Sequence, residues 1–236
     1  MAILSASNQK SKSASTAKAA PVVFVVDDDI SVRESLELLI QCEGWRAETF
    51  ASAREFLACP RPLIPNCLIL DVSLPDLNGL DLQKMISVDR LEMPIIFITA
   101  YGDVPMTVRA MKAGAVEFLT KPLADETLLS AVRSALERSR MTLSQQEELR
   151  GLQECYASLT PREQQVMALV VSGLLNKQTA AELGISEITV KAHRGNLMQK
   201  MKADSLAHLV KMSARLGLSS AVNTIDIQRS FQSKQS

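Results

Sequence analysis

Val22-Val23-Phe24-Val25-Val26-Asp27-Asp28-Asp29 sets five apolar residues directly against three carboxylates. A run this short, β-branched and apolar throughout, reads as a strand buried on both faces. The arrangement recurs three times along the chain. Asp71 follows Cys67-Leu68-Ile69-Leu70, Thr99 closes Ile95-Ile96-Phe97-Ile98, and Lys121-Pro122 comes just after Val116-Glu117-Phe118-Leu119. Strands of this kind, joined by helices, run parallel and deliver all these groups to the carboxyl edge of one sheet. That edge is where open α/β sheets bind ligands, so the polar strand ends are read together as one site.

Between the strands the apolar residues change to helical spacing. Asp29 can cap a helix carrying Val32, Leu36, Leu39 and Ile40, which Gly44 ends. A second strand follows near Trp45–Phe50, then a short helix over Ala53–Ala58, the strand ending at Asp71 and a helix over Leu80–Val88. Pro94–Thr99 is the fourth strand, Pro105 opens a helix that Gly114 ends, and Val116–Leu119 is the fifth strand. Asp125 starts a long helix through Leu128, Leu129, Val132 and Leu136. Five βα units predict a doubly wound, five-stranded parallel sheet over residues 21–140.

The 236 residues suffice for two domains, and 47% hydrophobic with 22% charged residues is the composition of a soluble globular protein. No apolar stretch approaches the roughly 18 residues of a membrane span, which gives the expectation of no membrane partner and a cytoplasmic location. Cys42, Cys59, Cys67 and Cys155 have neither C-x-x-C spacing nor a His cluster and are read as reduced thiols. Residues 1–20 and 221–236 are expected to be disordered tails. The zero net charge hides an asymmetry: residues 21–140 hold 18 Asp/Glu against 12 Lys/Arg, whereas 156–220 hold 4 against 8. An acidic front suits a cation and a basic rear suits a polyanion such as nucleic acid.

The motifs V-V-D-D-D, L-I-L-D-V-S-L-P-D-L-N-G-L, I-F-I-T-A and F-L-T-K-P, in this order and spacing, resemble the receiver domain of bacterial two-component response regulators, of flavodoxin-like fold. An Asp after a strand serves most often as a cap or turn residue; several such motifs in register do not. The resemblance implies Asp71 as phosphoacceptor and Mg²⁺ as cofactor, held by Asp28, by Asp27 through water, by Asp71 and by the Ser73 carbonyl. It further implies that Lys121 pairs with a phosphoryl oxygen, that its bond to Pro122 is cis, and that Thr99 hydrogen-bonds the phosphate. Phe118 would then be a switch aromatic, against the plainer reading of a core Phe. Phosphorylation would act through the helix after Pro105, where Met106, Val108 and Met111 could supply a dimer face. The cation is needed because charge accumulates on phosphoryl oxygens during transfer to a carboxylate. Two departures stand out: Leu74 replaces the family's usual Met at similar volume, and Ser73 borders the phosphate.

Residues 141–157 are polar, with Leu143, Leu149 and Leu152 near helical spacing, and two readings stand: a helical arm, or a flexible linker broken at Gly151. From 158 to 220 the pattern is all-α. Thr160, Pro161 and Glu163 form a helix start with a capping box. Asn176 can cap a short helix to Leu183, Gly184 makes the turn, Ser186 caps a helix through Val190, Leu197 and Met201, and Ser205–Leu216 closes a four-helix domain. L-T-P-R-E-Q-Q-V with N-K-Q-T-A-A-E-L-G-I-S-E-I-T-V-K-A-H-R-G-N-L-M-Q-K-M resembles the LuxR-type helix-turn-helix domain, and its place behind a receiver resembles the NarL/FixJ group. Burying Val190, Leu197 and Met201 turns Lys191, Ala192, Gly195 and Gln199 outward with Arg194 at the edge, toward a major groove. Thr189 and His193 join the expected contacts, His193 either near a phosphate or as a half-buried histidine, and Lys177 and Thr179 are expected on the DNA backbone.

The reading is a phosphorylation-activated transcription regulator and not an enzyme, with a sensor histidine kinase, promoter DNA, a second copy of itself and RNA polymerase as partners. A phosphohydrolase using Asp, Thr, Lys and Mg²⁺ wants a second Asp where Ser73 stands. A regulator that needs no phosphorylation and a receiver with a protein-binding output are the alternatives.

Overall fold

The structure is a computed structural model and describes residues 20–60, 62–89 and 93–218. The expected tails lie outside these, apart from Ala20. The chain divides into two compact units, Met1–Leu143 and Ser144–Ser236.

In the first unit, β1 (Val22–Val26), β2 (Arg46–Phe50), β3 (Asn66–Asp71), β4 (Ile95–Thr99) and β5 (Glu117–Thr120) form one sheet of order β2-β1-β3-β4-β5. Every pairing is parallel. The helices are α1 (Ile30–Cys42), α2 (Ala53–Ala58), α3 (Gly79–Asp89), α4 (Val104–Lys112) and the start of α5 (Asp125–Ala157). Alternation along each buried strand builds two cores. Val22, Phe24, Val26, Leu68, Leu70 and Phe97 face Phe56, Leu82, Ile86 and Ala110 on one side. Val23, Val25, Cys67, Ile69, Ile96 and Ile98 face Ile40, Leu128, Val132 and Leu136 on the other. The strand order reverses between β1 and β3, and their register sets Val26 opposite Leu70, so Asp27 and Asp71 emerge level at that switch point.

Helix ends follow local chemistry. Asp29 accepts from the Ser31 amide to cap α1, and Asp103 caps α4 through the Met106 amide. Gly44 (φ 77°) and Gly114 (φ 93°) take left-handed conformations just past the ends of α1 and α4, as their places in the sequence require. Of the apolar residues expected on an exposed α4 face, Val108 and Met111 are exposed, but Met106 is half-buried against the sheet core. Val104 takes its place in the exposed stripe.

The second unit holds α6 (Pro161–Val171), α7 (Asn176–Leu183), α8 (Glu187–Lys200) and α9 (Leu206–Arg215) around Val166, Met167, Val170, Val190, Leu197, Met201 and Leu209. Thr160 and Glu163 complete the capping box of α6. Gly184 (φ 64°) closes α7, and Ser186 caps α8 through the Thr189 amide. Asn176 does not cap α7. Leu175 holds the cap position, its N–H donating to Gln178 Oε1 at 2.8 Å, and Asn176 is the first helical residue. Residues 141–157 lie wholly within α5, and Leu152, Cys155 and Tyr156 pack against the core of the second unit. Gly151 is absorbed into the helix interior, which costs only about 1 kcal/mol.

Candidate functional site

At the carboxyl edge of the sheet, Lys121 joins two carboxylates. Its Nζ lies 2.7 Å from Asp27 Oδ2 and 2.7 Å from Asp71 Oδ2. Asp27 is fully buried, and its second oxygen accepts the Asp29 amide at 2.9 Å. Asp71 is 6% exposed, with Oδ1 accepting the Ser73 amide at 3.0 Å. Asp28 stands exposed beside them, and carboxylate oxygens of Asp27, Asp28 and Asp71 lie within 4.8 Å of one another. Arg33 on α1 donates to the Asp27 and Asp28 carbonyls at 2.7 and 2.9 Å, which fixes the backbone that carries them. The Lys121-Pro122 peptide is cis.

Burial pushes the Asp27 carboxyl above the ordinary carboxylate range, against the hydrogen bonds from Lys121 and Asp29. Burial also works to lower the pKa of Lys121, but its hydrogen bonds and the charges of Asp27 and Asp71 outweigh it and raise the ammonium above its usual value. One cation thus holds together two buried acids that would otherwise repel. Hard oxygen donors suit a hard divalent cation. Two oxygens bound directly to one Mg²⁺, at about 2.1 Å each, span at most about 4.2 Å, so acids lying within 4.8 Å of one another would hold such an ion after a small inward movement or with one of them reached through water.

Thr99 is fully buried, and its hydroxyl is engaged within its own loop: it donates to the Tyr101 carbonyl at 3.3 Å and accepts the Tyr101 amide at 3.2 Å. Phe118 is half-buried, its ring 6.1 Å from that of Phe97. Asp76, in the loop after β3, accepts the Arg54 amide at 3.0 Å and the Ala53 amide at 3.3 Å. Burial opposes it, but those backbone bonds hold its carboxyl below the usual range and tie the loop after Asp71 to α2.

In the second unit, Lys191, Ala192, Gly195 and Gln199 on α8 and Lys177 on α7 are exposed. Lys191 pairs with Glu187 at 3.3 Å, an exposed i,i+4 contact worth only about 0.3–0.5 kcal/mol and easily exchanged for a phosphate. His193 is half-buried. Arg194 is too, donating to Asn176 Oδ1 at 3.0 Å, so the residue expected to cap α7 instead positions a candidate contact on α8. Thr189 is half-buried, and its hydroxyl bonds Ser186 Oγ at 2.8 Å as part of the cap. Thr179 corrects the sequence reading. It is 0% exposed and its Oγ1 has no hydrogen-bond partner, so its side chain is turned away from the solvent side on which a DNA phosphate would lie. Sequence reasoning also passed over Ile188 and Asn196, both exposed on α8.

Comparison with known families decides what these two sites belong to. The response regulator receiver domain family matches residues 23–133, and the luxR family of bacterial regulatory proteins matches residues 157–213. The chain is a response regulator of the NarL/FixJ type. Nodulation protein W of Bradyrhizobium diazoefficiens is 53% identical to this response regulator over 84% of the chain and 87% of that protein. Transcriptional regulatory protein FixJ of Azorhizobium caulinodans is 42% identical over 84% of the chain and 94% of that protein. The solved structure of the response regulator StyR is 49% identical, with a TM-score of 0.75 over 84% of this chain and 100% of that one. This response regulator is therefore a phosphorylation-activated, DNA-binding transcription regulator and not an enzyme, and its two domains imply a phosphodonor kinase and promoter DNA. Among the described residues, no helix is long and apolar enough to cross a membrane.

Proposed function

We propose that Asp71 is the phosphoacceptor of this regulator and that the phosphate on it governs dimerisation and promoter binding. The observation that carries this is the Lys121 ammonium, 2.7 Å from both Asp27 and Asp71 at the switch point of the sheet. In the transfer, an Asp71 carboxylate oxygen forms the new bond to phosphorus as the bond to the histidine nitrogen of a sensor kinase breaks, and the leaving imidazole is neutral once protonated. Asp28, Asp71 and the Ser73 carbonyl would hold Mg²⁺, with Asp27 acting through water, and the ion would supply charge neutralisation on the phosphoryl oxygens. The exposed Asp28 carboxylate suits the direct role, whereas Asp27, fully buried, suits the outer one.

Lys121 then exchanges one carboxylate for a phosphoryl oxygen. Thr99 leaves Tyr101 to donate to another, and Phe118 follows into the space beside it. The exposed α4 stripe of Val104, Val108 and Met111 is the surface on which two activated copies meet. Pairing two small DNA-binding domains raises their joint affinity for adjacent half-sites, and RNA polymerase reads out the bound dimer.

The test is mass spectrometry of the full chain after incubation with Mg²⁺ and acetyl phosphate, followed by sedimentation with beryllofluoride. The account expects one added phosphoryl group on the peptide containing Asp71 and a shift from monomer to dimer, both absent in Asp71→Asn. Phosphate on another residue, or an unchanged sedimentation profile, contradicts it.

A further inference from the structure

The outermost stripe of α8 is not the basic one. Relative to the buried residues Val190, Leu197 and Met201, the helical period puts Ile188, Ala192, Gly195 and Gln199 directly opposite, while Lys191 lies to one side. Ile188 is 80% exposed, one of the most exposed large apolar side chains among the described residues. It sits at the second position of α8, one turn ahead of Ala192, and the N-terminal residues of a recognition helix are those that reach base edges. Among the described residues, no element of the second unit covers it. A Cβ added at Gly195 would meet nothing within 4 Å, so the stripe beyond Ile188 is low and open and lets the helix approach closely. An isoleucine has no donor or acceptor with which to read a purine edge. The major-groove feature complementary to it is the thymine C5-methyl group.

We propose that Ile188 is a specificity-determining residue and that it reads a thymine methyl in each DNA half-site. This rests on the DNA-binding reading of α8 and refines it. Lys191, Lys177 and Arg194 supply charge for the phosphates, which carry no sequence information, while the apolar stripe selects a 5-methylpyrimidine. Burying one methyl between Ile188 and the base gives about fourfold in affinity per half-site, and about fifteenfold for a dimer on two half-sites.

The experiment starts with selection of duplexes from a random-sequence pool by the full chain with Mg²⁺ and beryllofluoride. Each thymine of the selected duplex is then replaced in turn by deoxyuracil, which lacks only the methyl, and the affinities of wild type and Ile188→Ala are measured. The substituted residue is exposed and alanine is the better helix former, so the variant keeps its fold. We expect one thymine per half-site at which deoxyuracil weakens wild type about fourfold and leaves Ile188→Ala unchanged. A flat deoxyuracil scan for wild type, or the same penalty in Ile188→Ala, overturns the assignment of Ile188 while leaving DNA binding intact. Failure of wild type to enrich any duplex overturns the DNA-binding reading itself, and this proposal with it.

Discussion

Gly79, the first residue of α3, lies against the backbone of the acceptor strand, and replacing it by alanine should damage a site that its side chain does not line. A Cβ there would stand 2.6 Å from the Asp71 carbonyl oxygen, 3.0 Å from Val72 Cα and 3.3 Å from Phe97 Cε1. The Gly79 amide donates to the Val72 carbonyl at 3.0 Å, so the two segments cannot part freely. Reaching an ordinary separation of about 3.5 Å requires the Asp71 backbone to move by about 0.9 Å. Overpacking of this kind costs about 1–3 kcal/mol, of which helix propensity regains at most about 1 kcal/mol. A net loss of about 1–2 kcal/mol lowers the melting temperature by roughly 4 °C per kcal/mol in a domain of this size. Trp45 is the single tryptophan and packs on the sheet core, so its fluorescence follows the receiver alone. A misplacement near 1 Å also slows phosphorylation by up to about 100-fold. Gly195→Ala is the matched control: its Cβ meets nothing within 4 Å, so it should stabilise the second unit by about 1 kcal/mol. A Gly79→Ala receiver that melts at or above the wild-type temperature and takes phosphate at the wild-type rate would refute the reasoning.

Thr179→Val removes a buried hydroxyl with no partner, and urea unfolding should show a gain of about 1 kcal/mol with DNA affinity unchanged; weakened binding would restore Thr179 to the interface. Glu163 is 3% exposed and accepts from Lys200 Nζ at 2.7 Å and the Thr160 amide at 2.8 Å, which hold its carboxyl below the ordinary range. Its contribution is present above the unfolded-state pKa and is lost as pH falls through the folded one. Glu163→Gln should therefore cost about 1 kcal/mol at neutral pH and flatten the acid limb of stability for the second unit. Lys121→Met removes the cation between Asp27 and Asp71, and the already raised Asp27 carboxyl rises further. A raised folded pKa means stability lost as pH increases through it, so Trp45 unfolding should show a receiver that is weaker at pH 8 than at pH 5. A pH-independent loss would show that Asp27 and Asp71 are not coupled through this lysine.

The convergence of Asp27, Asp71 and Lys121 was legible because it follows from topology: apolar runs of strand length ending in polar groups, joined by helices, admit one parallel sheet with those ends on one edge. The pairing of Lys121 with Asp27 as well as Asp71 was not, since an extended lysine reaches either acid and only the register of β1 against β3 puts both in range. In α7 a helix of eight residues carries too few apolar positions to fix its inward face, and Thr179 was expected on the DNA backbone from its place near the helix start alone. Asn176 was read by the same local rule as a cap, while its side chain is instead drawn to Arg194 across the turn. The course of α5 through 141–157 was open in the sequence because its exposed face is polar and Gly151 resembles a break; packing of Leu152, Cys155 and Tyr156 on the second core decides it. Ile188 escaped notice for the opposite reason, since an isoleucine in a helix is assumed to be core.

The central claim is that chemistry at Asp71 controls DNA binding by α8, and the affinity of the full chain for a selected duplex tests it most directly. Wild type and Asp71→Asn are titrated onto the duplex with Mg²⁺, with and without acetyl phosphate. The account predicts that the phosphodonor tightens binding by wild type and leaves Asp71→Asn at the unstimulated affinity. Equal affinity of both proteins under both conditions, with Asp71 shown to be phosphorylated, would contradict it.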